Sequence, residues 1–465
     1  MFQKDVYINR RKQLKKRLGN GLVILLGNGE CAMNYPGNDY LFRQDSTFLY
    51  YFGLDVPNLT GIIDIDRDKE YLFGDDIELD DVIWMGPQPT VRDLSQRAGV
   101  ENTQPNSKLP AFLRRFRDKG RNFHCIPFYR GDNIIKFADI LSINHAETGQ
   151  FISNELIKAI IEMRSIKDAN EIKELEKAAE IGYHMHITAM QLCKPGIYER
   201  EISGLLEGIP RTYGGMISFP VILTQHGETL HNHYHGNKLE KDKLMLTDAG
   251  AETAMHYASD YTRTIPVNGK FDSKQKAIYQ IVLEANNRVR ETTKPNVPYL
   301  EAHKEAARVI IKGLKDLGFM KGDVEEALQL GAHALFMPHG VGHPMGLDVH
   351  DMEGLGEDLV GYDENIKRST LFGFSGLRFG KKVQPGYVLT NEPGCYFIPE
   401  LIDKWKNEKR LIQFINYDKV NQFRDFGGIR IEDNLLVTQA GCQIIGKRLP
   451  STVEEIEEEI GRAHV

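Results

Sequence analysis

The hydrophobic pattern changes character about a third of the way along the 465-residue chain. Before residue 160, short apolar runs alternate with turn residues and helical stretches. They are GLVILLGNG near residue 24, TGIIDIDRD near 63, KEYLFGDD near 72 and NFHCIPFY near 125. Runs of that length between helical patterns predict an α/β domain. From Asp168 the pattern becomes helical. DANEIKELEKAAEIGYHMHITAMQL places Ile172, Leu175 and Ala179 on one face, with Asp168 as cap, Glu171 three residues on, and Lys194-Pro195-Gly196 as the stop. Further helices are predicted for SKQKAIYQIVLEANNRVRETT after Asp272 and for YLEAHKEAARVIIKGLKDLG, ending at Gly318. The tail STVEEIEEEIG reads as another, with Ser451 and Glu454 as its capping box. Strand-like runs KLMLTD, GYVLTNEPG and GIRIEDNLLVT lie between these helices, in blocks and not in strict alternation. The expectation is an α/β domain over residues 1–160 and an α+β domain with mainly antiparallel pairing over 161–465.

Composition narrows the class. Hydrophobic residues make 41% and charged residues 26%, the balance of a folded globular protein. Lys plus Arg (58) against Asp plus Glu (65) leaves −7, without the basic surface that nucleic-acid binding needs. The basic stretch from Asn9 to Arg17 reads as a solvated helix face. Five cysteines, scattered and without a C-x-x-C pair, read as reduced core thiols. MFQKDVYINRRKQLKKRL lacks the apolar stretch of a secretory signal, and runs such as Leu22 to Leu26 are too short to cross a bilayer. A cytoplasmic protein with neither membrane nor nucleic-acid partners is expected.

Histidines gather in two places: His226, His231, His233 and His235, then His339, His343 and His350. Neither group has H-E-x-x-H spacing. Carboxylates follow apolar runs at Asp248 in LMLTDAGAE and Glu392 in VLTNEPG, Asp260 opens the run in YASDYTRTIPV, and Glu432 sits among Ile, Ile and Leu in GIRIEDNLLVT. Each taken singly has a structural reading, as a turn residue or a paired core acid. Glu432 demands more, because a glutamate with apolar neighbours is costly unless paired or metal-bound. Together the four carboxylates and one neutral histidine balance two divalent cations. Oxygen-rich ligation favours hard or borderline ions such as Mn²⁺. Two such ions would acidify a water and polarise a carbonyl, as hydrolysis requires.

The stretches TDAGAE, ASDYTRTIPVNGKF, MPHGVGHPMGLDVHD, LTNEPGCYF and GGIRIEDN resemble, in order and spacing, the five ligand-bearing segments of the aminopeptidase P and prolidase group of metallopeptidases. LFRQDSTFLYYFGLDVPN resembles the signature of that group's N-terminal domain, which methionine aminopeptidases lack. The resemblance implies a pita-bread catalytic domain that hydrolyses bonds before proline. It makes Asp248 a ligand of one metal, Asp260 and Glu432 bridging carboxylates, and His343 and Glu392 ligands of the other metal. Glu392 would also shuttle a proton to the leaving amine. His231 and His350 would hydrogen-bond substrate and stabilise charge at the attacked carbonyl, His339 would line the proline side, and Arg430 would orient the site by ion pairing. His226, His233 and His235 have no counterpart and read as loop histidines. A homodimer or larger assembly is also implied, in which the N-terminal domain shapes a cleft.

Two activities fit that group. An Xaa-Pro aminopeptidase removes the first residue of peptides with proline second; a prolidase takes only dipeptides and recognises their carboxylate. The insertion FIPELIDKWKNEKRLIQFINYDKVNQFRDFGGIRIE resembles the prolidase branch, and Arg378 in SGLRFGKKVQPG sits where prolidases have an arginine for that carboxylate. Similar insertions occur in members with aminopeptidase activity, and aminopeptidase activity is the reading adopted. A reading from another class is a catalytically silent pita-bread binding module, but such modules lose metal-binding residues and all five positions here retain ligand-capable side chains.

Overall fold

The computed structural model describes residues 1–463, and these form two compact units, the first over 1–164 and the second from 165 onward. The first unit orders its elements as α1 (Lys4–Leu18), β1 (Leu22–Leu26), α2 (Ser46–Phe52), β2 (Thr60–Asp64), β3 (Lys69–Phe73), α3 (Leu79–Met85), α4 (Val91–Ala98), β4 (Asn102–Gln104), α5 (Leu109–Arg117), β5 (Phe123–His124), α6 (Gly131–Leu141) and α7 (Asn154–Ser165). One mixed sheet runs β4-β3-β2-β1-β5, with β1 pairing antiparallel to β2 and parallel to β5. All five residues of β1 are buried, which explains the unbroken LVILL in place of an alternating run.

The basic stretch of α1 is solvated at Lys12, Lys16 and Arg17 as expected, but not at its two first arginines. Arg10 and Arg11 are buried. Arg11 donates to the carbonyls of Tyr51 (2.7 Å) and Ala98 (2.9 Å) and pairs with Glu70 at 3.1 Å. A guanidinium satisfies several carbonyls at once, so it can enter a core that a solvated charge cannot. Cys31 is likewise exposed, against the expectation of five core thiols.

The second unit contains α8 (Ala169–Leu192), α9 (Glu199–Thr212), β6 (Met216–Ile217), β7 (Ile222–Thr224), β8 (Leu244–Ala249), β9 (Ala251–Glu252), β10 (Tyr261–Pro266), α10 (Ser273–Thr292), α11 (Tyr299–Asp316), α12 (Val324–Gln329), α13 (Glu357–Gly361), β11 (Val388–Asn391), β12 (Gly394–Tyr396), α14 (Pro399–Asn407), α15 (Tyr417–Asn421), β13 (Gly428–Arg430), β14 (Asp433–Thr438), β15 (Gly441–Ile444) and α16 (Val453–Ala463). Its strand pairs β7-β8, β8-β10, β11-β14, β14-β15, β12-β13 and β6-β9 are all antiparallel. One apolar core joins α8, α10 and α11 to these strands. Asp168 and Asp272 cap α8 and α10 as their spacing predicts, each in a reciprocal capping box. The tail differs by one position. Thr452 Oγ1 accepts from the Glu455 N–H, and Glu455 accepts from the Thr452 N–H, while the Ser451 hydroxyl accepts from Arg448.

The run GIRIEDNLLVT is not one strand. Its first part pairs with β12 and its second with β11, so the chain turns between two ladders at Ile431 and Glu432. Glu432 there bridges to Thr262 in β10, its N–H donating to the Thr262 carbonyl at 3.0 Å. That corner carries a buried carboxylate out of the apolar register and into a cavity.

Candidate metal centre in a buried carboxylate pocket

Strand β8 is central in its sheet, and Asp248 lies opposite Ile222 of β7 and Thr262 of β10. Asp260 immediately precedes β10, its N–H donating to Asn434 Oδ1 at 3.2 Å. Glu392 follows β11 and ties its N–H to the Val341 carbonyl at 2.9 Å. Beside it, His343 exchanges backbone bonds with Thr390, donating to Oγ1 at 3.1 Å and accepting from the Thr390 N–H at 2.9 Å. Gly342 makes that approach possible, since a Cβ there would sit 2.1 Å from the Thr390 carbonyl oxygen. Asn286 of α10 donates to the carbonyls of Asn391 and Ile431, both at 3.1 Å, and so fixes the residues preceding Glu392 and Glu432 together.

These elements bring Asp248, Asp260, His343, Glu392 and Glu432 to one cavity of about 490 Å³. Ligand atoms of Asp260, His343 and Glu432 lie within 4.8 Å of one another, and all three residues are buried. His343 Nε2 is 3.4 Å from Asp260 and 3.7 Å from Glu392. Its Nδ1 lies 3.1 Å from the Pro344 carbonyl; donation there leaves Nε2 as a lone pair facing the carboxylates, the arrangement of a metal-ligating imidazole.

The charge balance is lopsided. Four carboxylates share one buried guanidinium, Arg430, which donates to Asp248 Oδ2 at 2.6 Å, to Thr262 Oγ1 at 3.1 Å and to the Tyr396 hydroxyl at 2.8 Å. Burial, then the neighbouring acids, pushes the carboxyls of Asp260 and Glu432 well above the usual carboxylate range. Glu392 is raised to about 7 by burial, against the opposing pull of His343 and Arg430. Asp248 Oδ1 and Asp260 Oδ1 are sealed from solvent with no hydrogen-bond partner among the described residues. Buried acceptors without donors are expensive, and divalent cations supply what the protein does not. The donor set therefore fits a hard or borderline metal.

The rim is built from imidazoles. His231, His233, His339 and His350 line the same cavity with Arg378 and Arg430. His233 lies in a loop, as expected, and that loop lines the pocket. His226 instead pairs with Glu228, and His235 lies against the Val221 and Leu223 carbonyls. Burial lowers His231, His339 (to about 3) and His350 (to about 2), keeping all three neutral. His339 lies 2.9 Å from the Tyr396 hydroxyl, which accepts from Arg430 and donates on to the ring. Thr262 Oγ1 accepts from Arg430 and donates to Glu432 at 2.8 Å. Sequence reasoning passed over Thr262, Tyr396 and Asn286. The first two lie inside the quoted segments ASDYTRTIPVNGKF and LTNEPGCYF, whereas Asn286 sits mid-helix and carries no signal. His350 Nδ1 lies 2.6 Å from Glu353, so the neutral ring offers Nε2 as an acceptor, where stabilising a carbonyl oxyanion asks for a donor.

Residues 173–439 match the model of metallopeptidase family M24, and residues 7–124 match that of the aminopeptidase P N-terminal domain. The chain belongs to metallopeptidase family M24. Its relatives in the family carry both activities in their names. The human Xaa-Pro dipeptidase is 32% identical over 458 residues, spanning 94% of this chain and 88% of that protein. A probable Xaa-Pro aminopeptidase of Aspergillus niger is 31% identical, spanning 94% and 92%. The solved Pseudomonas aeruginosa aminopeptidase PepP superposes with a TM-score of 0.82 at 28% identity, covering 100% of this chain and 99% of that one. The chain is thus an M24 peptidase of the Xaa-Pro aminopeptidase and prolidase type, with an aminopeptidase P N-terminal domain ahead of a pita-bread catalytic domain. Divalent metal use follows from the family. Among the described residues no helix is long and apolar enough to cross a membrane.

Proposed function

We propose that this chain is a cytoplasmic Xaa-Pro aminopeptidase that removes the N-terminal residue of peptides with proline in second position, using two Mn²⁺ ions. Asp248, Asp260, His343, Glu392 and Glu432 would hold the ions, with Asp260 and Glu432 serving both. The observation that carries this reading is the buried cluster of Asp260, His343 and Glu432, whose acids outnumber their protein counter-charges. Bound divalent ions would polarise the scissile carbonyl and acidify water.

The chain's own residues do the remainder. Glu392 carries a proton on a carboxylate oxygen from water to the prolyl nitrogen, which as a tertiary amide has no N–H of its own and must be protonated to leave. Neutral His231 donates to the carbonyl oxygen. His350, held through Nδ1 by Glu353, directs Nε2 at the substrate. His339, backed by Tyr396, forms the wall against the proline ring. Arg430 holds Asp248 in place. We assign residues 1–160 to the N-terminal domain and 161–465 to the catalytic domain. A homo-oligomer, dimer or larger, is supported by α3, whose Leu79, Ile83, Trp84 and Met85 are all more than half exposed.

The second reading is a prolidase, favoured by Arg378 at the cavity wall and by the human Xaa-Pro dipeptidase among the relatives. Rates on Ala-Pro-Ala and Ala-Pro by the Mn²⁺-loaded protein, with a chelated control, separate the two. Faster cleavage of the tripeptide supports the aminopeptidase. Cleavage of the dipeptide alone makes it a prolidase. No metal-dependent cleavage of either refutes both.

A further inference from the structure

Arg378 is not an open cation. Its Nη1 donates to Glu353 at 2.7 Å and to Glu357 at 2.5 Å, so two carboxylates already sit on the guanidinium that faces the far end of the cavity. Glu353 is shared, accepting from His350 Nδ1 as well. Glu357 is shared in the other direction, accepting from Arg368 at 2.7 Å, and Arg368 also binds Asp358 at 2.6 Å. Three carboxylates therefore surround two guanidiniums, and this cluster beside the pocket carries one net negative charge. A second, smaller cavity opens here, lined by His343, His350, Glu353, Glu357 and Arg378.

With Arg378 read as the prolidase-type arginine, a dipeptide ending in proline places its own carboxylate near this position. To use Arg378 it has to displace Glu353, which is tethered beside the guanidinium, or remain as a third anion near two others. A longer peptide presents a neutral amide carbonyl at the same place and meets neither obstacle. We propose that Glu353, assisted by Glu357, is a specificity-determining residue that holds Arg378 and excludes free C-terminal carboxylates, turning a site with a prolidase-type arginine toward longer peptides. This rests on the reading of the chain as an Xaa-Pro peptidase and adds the basis of its length selection. Glu353 is the dominant member because Glu357 divides its charge with Arg368.

The test compares Ala-Pro with its uncharged amide Ala-Pro-NH2 on the Mn²⁺-loaded enzyme, for wild type, Glu353→Gln and Glu357→Gln. Glutamine keeps an acceptor for His350 and removes only the charge, and the half-exposed side chain at 353 makes misfolding no obstacle. The ratio of kcat/KM for Ala-Pro to that for Ala-Pro-NH2 cancels any common effect on His350. It is expected to rise about tenfold in Glu353→Gln, the size of one partly screened unit charge, and less in Glu357→Gln. In wild type the same ratio should rise with added salt, which screens the repulsion. An unchanged ratio in Glu353→Gln, with active wild-type enzyme, overturns this inference alone. A wild-type enzyme inert on both Ala-Pro-Ala and Ala-Pro overturns the parent reading and this one with it.

Discussion

Glu432 and Asp433 are consecutive, both buried, and occupy opposite electrostatic settings. Asp433 pairs with Arg263 at 2.7 Å, and the same guanidinium donates to the carbonyls of Pro450, Thr262 and Glu432. Lys167 and Asp351 make a second closed pair at 2.9 Å, each almost without solvent contact. Glu432 faces the other way, into a group of acids with a single arginine among them. Burial is equal in the two settings; what differs is compensation. A buried charge closed by its partner holds the fold together, whereas a group of buried charges left open marks where a ligand belongs.

The strongest way to break this contrast is to remove the centre of the open group. Asp260→Ala should lose metal and, with it, activity on Ala-Pro-Ala by more than ~10⁴-fold, beyond the range of a lost acid–base group. In the chelated state its melting temperature should equal or exceed that of wild type, because one repelling acid is gone. Two ions per chain in that variant, counted by metal analysis, would mean that Asp260 does not bridge. Glu392→Gln comes next, with an expected loss of ~10²–10⁴-fold and an intact fold, since the amide moves no proton. Near-wild-type turnover would remove Glu392 from the proton path.

How much of this was legible in the sequence depends on whether the signal was local. Asp168 and Asp272 announce their helices because a cap acts within three residues. Asp248 and Glu392 stand out because each follows an apolar run that became a buried strand. Arg10 and Arg11 misled, since the carbonyls that receive Arg11 lie 40 and 87 residues away. The corner at Glu432 was hidden for the same reason: two ladders with different partners meet there, and only the pairing reveals it. The pocket position of His233 and the pairing of Arg378 with Glu353 are also tertiary facts. A charge's neighbours in space, not its own identity, decide whether it is structural.

The closed pair gives the middle of the scale. Asp433→Asn leaves Arg263 buried without its counter-charge and should cost about 3–5 kcal/mol, read from chemical denaturation, while metal content is retained. A loss of metal with unchanged stability would invert the assignment of the two neighbours. Next comes the pH response of the chelated enzyme. Glu392 titrates near 7 in the fold and near 4.3 unfolded, so between those values the native state binds a proton that the unfolded state has released. Stability should therefore fall as pH rises from about 4.3 to about 7, by on the order of 3 kcal/mol from this group alone. Mn²⁺ at pH 8 should restore it; a flat profile without metal would mean that the acids are compensated within the protein.

At the bottom of the scale lies a pair that is neither closed nor open but simply wet. Arg288 on α10 meets Glu291 at 3.0 Å and Glu284 at 3.8 Å, with all three side chains well exposed. Two residues earlier on the same helix, Asn286 is buried and holds the backbone beside Glu392 and Glu432. Water solvates the Arg288 pairs in either state, so Arg288→Ala should shift stability by no more than ~0.5 kcal/mol and leave kcat/KM unchanged. A shift of several kcal/mol there would show that ion pairing stabilises this fold irrespective of burial. The distinction between Asp433 and Glu432 would then have to be sought in geometry and not in solvation.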